Sequence, residues 1–187
     1  PVTFLTVIAN IIFYIYYMIG TNNSLYFAPY LADVLNLNEF NVSVIGSVYA
    51  AGMLFAMLVI NPLIQKFNIF LNLIIGTILN IIGLFLLVLI PGGSLSLAVI
   101  STLVTSLGFG ILKSLIDAAL AITTEGESRS GIYSIANLFS GILGSITSGL
   151  IGILYPLNPR SVYITSILLL FISLFCFVFI IIRFAEE

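Results

Sequence analysis

Two ionisable residues sit well inside a long apolar run, residues 95–121, which reads LSLAVISTLVTSLGFGILKSLIDAALA. Lys113 and Asp117 are four positions apart, so on a helix both project from one face. At helical spacing that face continues through Ser106 and Thr102, giving a polar stripe along an otherwise apolar helix. A charge at the bilayer centre costs about 2.5 to 3.5 kcal/mol on insertion scales, so an intramembrane Lys faces protein or a water-filled cavity and marks a candidate site. Opposite charges this close favour each other's ionised form, so Asp117 would hold Lys113 ionised and could itself exchange with a substrate carboxylate or a proton. The competing reading is mutual neutralisation, with both side chains snorkelling toward the surface near Asp117, about a turn from the expected helix end. A second polar face lies in the first apolar run, where Asn10, Tyr14, Tyr17, Thr21 and Ser24 follow one another at helical offsets. Tyr14 and Tyr17 can stack on an organic solute while their hydroxyls take hydrogen bonds, or can bond to a neighbouring helix. Tyr16 falls off that face and reads as a lipid or packing contact, and Tyr26 and Tyr30 as interfacial belt residues.

The elements that must position these residues are membrane spans. With 61% apolar and 6% charged residues among 187, the chain has too little polar surface to coat a water-soluble globule. Its net charge of −2 offers no basic patch for nucleic acid. The single Cys176 lies in an apolar run and reads as core filler rather than half of a disulfide. The first residues enter an apolar run with no charged n-region and no small-residue cleavage site, which argues against a signal peptide and for a fragment, a trimmed chain or the interior of a longer protein.

Six helices are expected, over residues 2–30, 42–64, 69–90, 95–121, 131–155 and 161–183, the first bending or loosening at Gly20 to Asn23. Polar or breaker clusters at 36–41, 65–68, 91–94, 124–130 and 156–160 connect them. Lys66, Arg129 and Arg183 fall on the side of the two termini and only Arg160 on the other, which puts both termini in the cytoplasm of a multi-pass cell-membrane protein. Laid side by side, residues 1–90 and 95–187 form two triplets. Each has a polar-faced lead helix, a small-residue middle helix (Gly46, Ser47, Ala50, Ala51 and Gly52 in one; the rows Gly141-Ser145-Gly149 and Gly144-Ser148-Gly152 in the other) and an apolar third helix. Asn72 and Asn80 interrupt the third run and need internal partners. Three crossings reverse the second triplet relative to the first, so the fold class expected is an all-α membrane protein of two inverted three-helix repeats in one six-helix bundle.

Other classes fit less well. Asn61-Pro62-Leu63 and Asn158-Pro159-Arg160 resemble the paired Asn-Pro-Ala loops of aquaporin channels, but the connections are too short for re-entrant half-helices. The two Pro residues read instead as helix terminators or starters capped by Asn. With no His, no Cys pair and no spaced carboxylate cluster, neither a metal site, a cofactor nor an enzyme is indicated. Lys113 and Ser114 are adjacent and would not face each other as a catalytic pair. A purely structural or interaction membrane protein is the remaining alternative, and a shared internal polar lining would argue against it.

The run YFAPYLADVLNLNEFNVSVIGSVYAAGMLFAMLVINPLIQKFN resembles the end of one helix, a short outer loop and the next helix of the major facilitator superfamily. The family's cytoplasmic loop signature, Gly-x-Leu-x-Asp-Arg-x-Gly, falls on residues 61–68, where Leu63 and Lys66 fit and Asn61, Gln65 and Asn68 depart from it. Glu127 and Arg129, within 125–131, resemble the acidic-x-Arg-x-Gly turn before the eleventh helix, and Asn137 matches a polar position there. A degraded loop signature is usual in the second half of these proteins. The resemblance therefore implies helices seven to twelve of a rocker-switch carrier. It implies a small organic solute as cargo, protons as a further candidate, and an N-terminal six-helix half, in the same or another chain, as partner.

Overall fold

The computed structural model describes residues 2–21, 24–124 and 129–186, the side chains of the last three excepted. Its elements are α1 (Val2–Gly20), α2 (Phe27–Asp33), α3 (Glu39–Phe55), a π-helical turn (Ala56–Ile60), α4 (Asn61–Ile64), α5 (Ile69–Leu89), α6 (Leu95–Ile122), α7 (Arg129–Leu154) and α8 (Ser161–Glu186). Among the described residues six helices are long and apolar enough to cross a membrane, α3 and α4 acting as one span, Glu39–Ile64. The fold is all-helical, as the hydropathy pattern requires.

Local chemistry sets the ends. Asn38 caps α3 by accepting a hydrogen bond from the Asn41 amide at 2.9 Å, so this span starts at Glu39, earlier than its apolar residues alone indicate. Asn68 caps α5 in the same way, through the Phe70 amide at 2.8 Å. The expected first helix is divided: α1 stops at Gly20 and the chain resumes as the short α2. Tyr30 consequently turns inward. It is fully buried, its ring lies edge-on to Tyr163 at 4.5 Å, and its hydroxyl donates to the Leu87 carbonyl at 3.4 Å, which corrects the interfacial placement.

Pro62 neither ends nor starts a span. The helix runs through it because the preceding five residues widen to a π turn, which relieves the clash between a proline ring and the carbonyl four residues back. Asn61 is no cap either. It is buried and its amide nitrogen donates to the Gly110 carbonyl at 3.3 Å and to the Ser114 hydroxyl, fastening this span to α6. Asn158 does organise its turn, accepting from the Arg160 amide at 3.1 Å.

Packing centres on α6. It lies against α5 along a seam where Gly108 meets Gly76 and Asn80, and against α3 where Gly110 meets Met53 and Ala56. A Cβ at Gly108 would stand 2.6 Å from the Gly76 carbonyl oxygen, so close backbone approach is what glycine provides there. The pairings cross between the two triplets: α6 packs on α3 and α5, whereas α1 packs on α7 and α8, and α5 meets α8. Asn80, expected to need a partner, accepts from the Tyr16 hydroxyl at 2.6 Å, and Asn72 donates to the Ile64 carbonyl at 2.9 Å. Tyr16 is thus a buried hydrogen-bonded residue, with no lipid contact.

The small-residue rows of α7 divide. Gly144 abuts the Met18 sulfur, Tyr26 donates to the Ser148 carbonyl at 2.6 Å, and Gly152 lies by the same hydroxyl. The row of Gly141 and Gly149 touches nothing that an added Cβ would meet, so only one of the two rows packs within the described residues. Gly108→Val should therefore lower the melting temperature of purified protein by several degrees, as overpacking by about 1–3 kcal/mol implies, while Gly141→Ala and Gly149→Ala leave it within about a degree. Equal loss in all three variants would contradict this division.

Candidate functional site

The lead helices α1 and α6 run antiparallel, as their side-chain register shows. Thr3 donates to the Thr123 carbonyl at 2.6 Å, Asn10 and Tyr14 reach Asp117, and the Tyr17 ring stacks on Phe109 at 5.7 Å. Asp117 is thus level with the middle of α1, not with an end of the bundle. Because Cα–Cβ bonds tilt toward a helix N-terminus, Lys113 and Asp117 both lean away from the Thr123 end of α6. Snorkelling toward that end is not what they do.

Two neutral donors cover the carboxylate. The Asn10 amide donates to Asp117 Oδ1 at 3.1 Å, and the Tyr14 hydroxyl lies 2.9 Å from Oδ2 and 3.1 Å from Oδ1. Lys113 donates to the Tyr14 hydroxyl oxygen at 3.4 Å, its hydrogen-bond partner among the described residues. Its ammonium also lies over two aromatic faces, 4.7 Å from the Tyr14 centroid and 5.2 Å from that of Tyr17. The expected direct pairing of Lys113 with Asp117 is therefore replaced by a relay in which Tyr14 accepts from the cation and donates to the anion. A third helix joins: Tyr133 of α7 donates to the Asp117 backbone carbonyl at 2.5 Å. Phe13 and Tyr17 stack on either side of the Phe109 position, at 5.9 and 5.7 Å, and fix the approach of α1 to α6.

The other expected residues divide by helix partner. Thr21 is buried and donates to the Tyr17 carbonyl at 2.9 Å, and Ser24 is buried. Ser106 donates to the Leu103 carbonyl and sits beneath Gly52 of α3, and Thr102 is buried beside a small cavity that Gly20, Phe27, Tyr49 and Leu84 also line. The stripe on α6 therefore splits, Ser106 packing against α3 and Lys113 and Asp117 facing α1. Asn137 is exposed on α7, one helical turn from Tyr133. Lys66 is exposed with its ammonium 5.2 Å from the Phe67 ring, and Arg129 is exposed at the start of α7. Glu127 lies outside the described residues. Ser114 donates to the Gly110 carbonyl, so it and Lys113 serve different neighbours. Tyr133 and the Asn61–Ser114 link were not among the expected site residues. Nothing in spacing along the chain connects α7 or α4 to α6, so no periodicity would have found them.

Beside the relay lies a cleft of about 670 Å³ between the end of α1 and the open face of α7, with Tyr17, Tyr26, Ser145, Ser148, Gly149 and Gly152 among its walls. Tyr17 belongs both to that wall and to the surroundings of the Lys113 ammonium. Among the described residues no cluster of His, Cys, Asp or Glu could hold a metal ion.

Six apolar helices with one polar group bonded across three of them define a multi-pass helical membrane protein with an internal polar site. The family model of the Major Facilitator Superfamily matches residues 9–186, and the chain belongs to that family of membrane transporters. No curated protein matches the chain, and neither does any solved structure.

The relay makes a stability prediction. Removing Tyr14's hydroxyl leaves the half-buried Asp117 with fewer donors, at a cost of about 1–3 kcal/mol. Tyr14→Phe and Asp117→Ala should each lower the melting temperature, and the double variant should lose clearly less than the sum, with a coupling of at least about 0.5 kcal/mol. Additive losses in that cycle would show that the bond between them contributes nothing.

Proposed function

We propose that the chain works as a secondary active carrier for a small organic solute, moving it by alternating access with the Lys113–Tyr14–Asp117 relay on the solute path. The observation that carries this reading is the relay itself. A cation and an anion are held inside the spans by side chains of two lead helices, next to a cleft that shares Tyr17 with them. Such an internal polar group is what a purely structural membrane protein has no use for, because every charge kept from water raises the cost of insertion. Asp117 is the one carboxylate away from a span end among the six spans, which makes it the candidate proton carrier should transport be proton-coupled.

The six spans are read as helices seven to twelve, with a six-helix N-terminal half as partner across the solute path. The degraded signature at 61–68 supports that half, since Asn61 here ties its span to α6 where the family's pattern has Gly. The crossed pairings support two inverted repeats, 1–90 and 95–187. Exchanging α1 with α6, α3 with α7 and α5 with α8 turns the contacts of α6 with α3 and α5 into those of α1 with α7 and α8. The Lys/Arg distribution supports a cell-membrane protein with both termini on the cytoplasmic side.

Two measurements test this. In a Cys176→Ser background, Gln65→Cys, which is exposed between α4 and α5, should react with an impermeant thiol reagent from the cytoplasmic side only. Labelling in intact cells from outside would invert the topology. In proteoliposomes of the full-length protein, at least one class from a panel of labelled organic acids, amines and sugars should accumulate above protein-free liposomes. Asp117→Asn and Tyr14→Phe should each cut that uptake at least tenfold in monodisperse protein. Uptake untouched by both variants would remove the relay from the path.

A further inference from the structure

Resting on the carrier reading, we infer that the solute is a small organic anion whose carboxylate group binds Lys113 and whose apolar body lies along Tyr17 in the cleft beside α7. The two charges of the relay are not equally available to an incoming partner. Asp117 is engaged by Asn10 and Tyr14, and these bonds join α1 to α6. A cationic solute could reach the carboxylate only by displacing donors that hold the two lead helices together. Lys113 carries three N–H donors and directs one, over the long distance of 3.4 Å, to the Tyr14 oxygen. An anion adds a partner to this ammonium without breaking any bond to Asp117.

The surroundings of the cation match such a ligand. Tyr14 and Tyr17 flank the ammonium at 4.7 and 5.2 Å and are themselves half-buried, so the side chain is held in place by ring faces that compete only weakly with a carboxylate for it. Tyr17 then continues the same wall into the cleft of about 670 Å³, within the range of small-molecule sites. Its other contributors are the Tyr26 ring and the hydroxyl and glycine face of Ser145, Ser148 and Gly149, which suit an apolar body with few further polar groups. The geometry thus pairs one buried-side cation with an adjoining, mostly apolar slot, the shape of a site for a monocarboxylate.

The experiment uses three probes of one shape and different charge: benzoate, benzamide and benzylamine. In the full-length protein carrying Cys176→Ser and Ser145→Cys, benzoate should slow modification of the cleft thiol by an impermeant maleimide at least fivefold, and the neutral and cationic probes should not. Adding Lys113→Met should abolish the protection, whereas Lys113→Arg, which keeps the charge, should retain part of it. In proteoliposomes benzoate should likewise compete with whichever solute class the wild type accumulates. Protection by benzylamine or benzamide, benzoate protection that survives Lys113→Met, or no protection by benzoate in the Lys113 background each overturns the anion assignment. The carrier reading outlives those results so long as uptake of some class still depends on Asp117 and Tyr14. Loss of all uptake dependence on the relay ends both.

Discussion

A carboxylate inside a membrane bundle must be given hydrogen-bond donors by the protein, because hydrocarbon offers none, and the arrangement of the lead helices follows from that need. Asp117 gets its donors from α1, through Asn10 and Tyr14, and its backbone carbonyl is taken by Tyr133 of α7. Three spans are thereby held in one register. The stacks of Phe13 and Tyr17 on Phe109 follow from the same register and reinforce it, since a slip of α1 along α6 would break both the polar and the aromatic contacts.

The tightest packing lies on the opposite side of α6. In lipid, helices gain nothing from excluding water, so association rests on how closely backbones can approach. Gly76 and Gly108 bring α5 against α6, and Gly110 brings the π-turn region of the second span against it. These contacts leave α6 as the most buried span and α7 as the least. A span fixed on one side and polar on the other is suited to carry a site. A lightly covered span beside it leaves room for the cleft.

Asp117 and Lys113 also show how an aromatic side chain can separate two charges and still couple them. Tyr14 accepts from one and donates to the other, so the pair is balanced in charge while the ammonium keeps donors to spare. Tyr17, whose ring flanks the ammonium, also lines the adjoining cleft.

Composition and run length determined the class and the six spans of this protein, because burying backbone polar groups in a bilayer forces helices of spanning length whatever their packing. Helical spacing was likewise enough to put Asn10, Tyr14 and Tyr17 on one face, and Lys113 and Asp117 on another, and those two faces do meet. Which residues along each face do chemistry was decided by tertiary contact. Ser106 shares the stripe with Lys113, yet α3 covers it, and Tyr133 enters from a helix that no periodicity links to α6. The same holds for Pro62 and Asn61, where a π turn lets the helix continue and an amide crosses to α6, and for Tyr30, which the break after Gly20 carries into the core. Sequence spacing fixes the direction of a side chain about its own axis. What lies in that direction depends on neighbours brought together from far along the chain, and only the packed bundle supplies them.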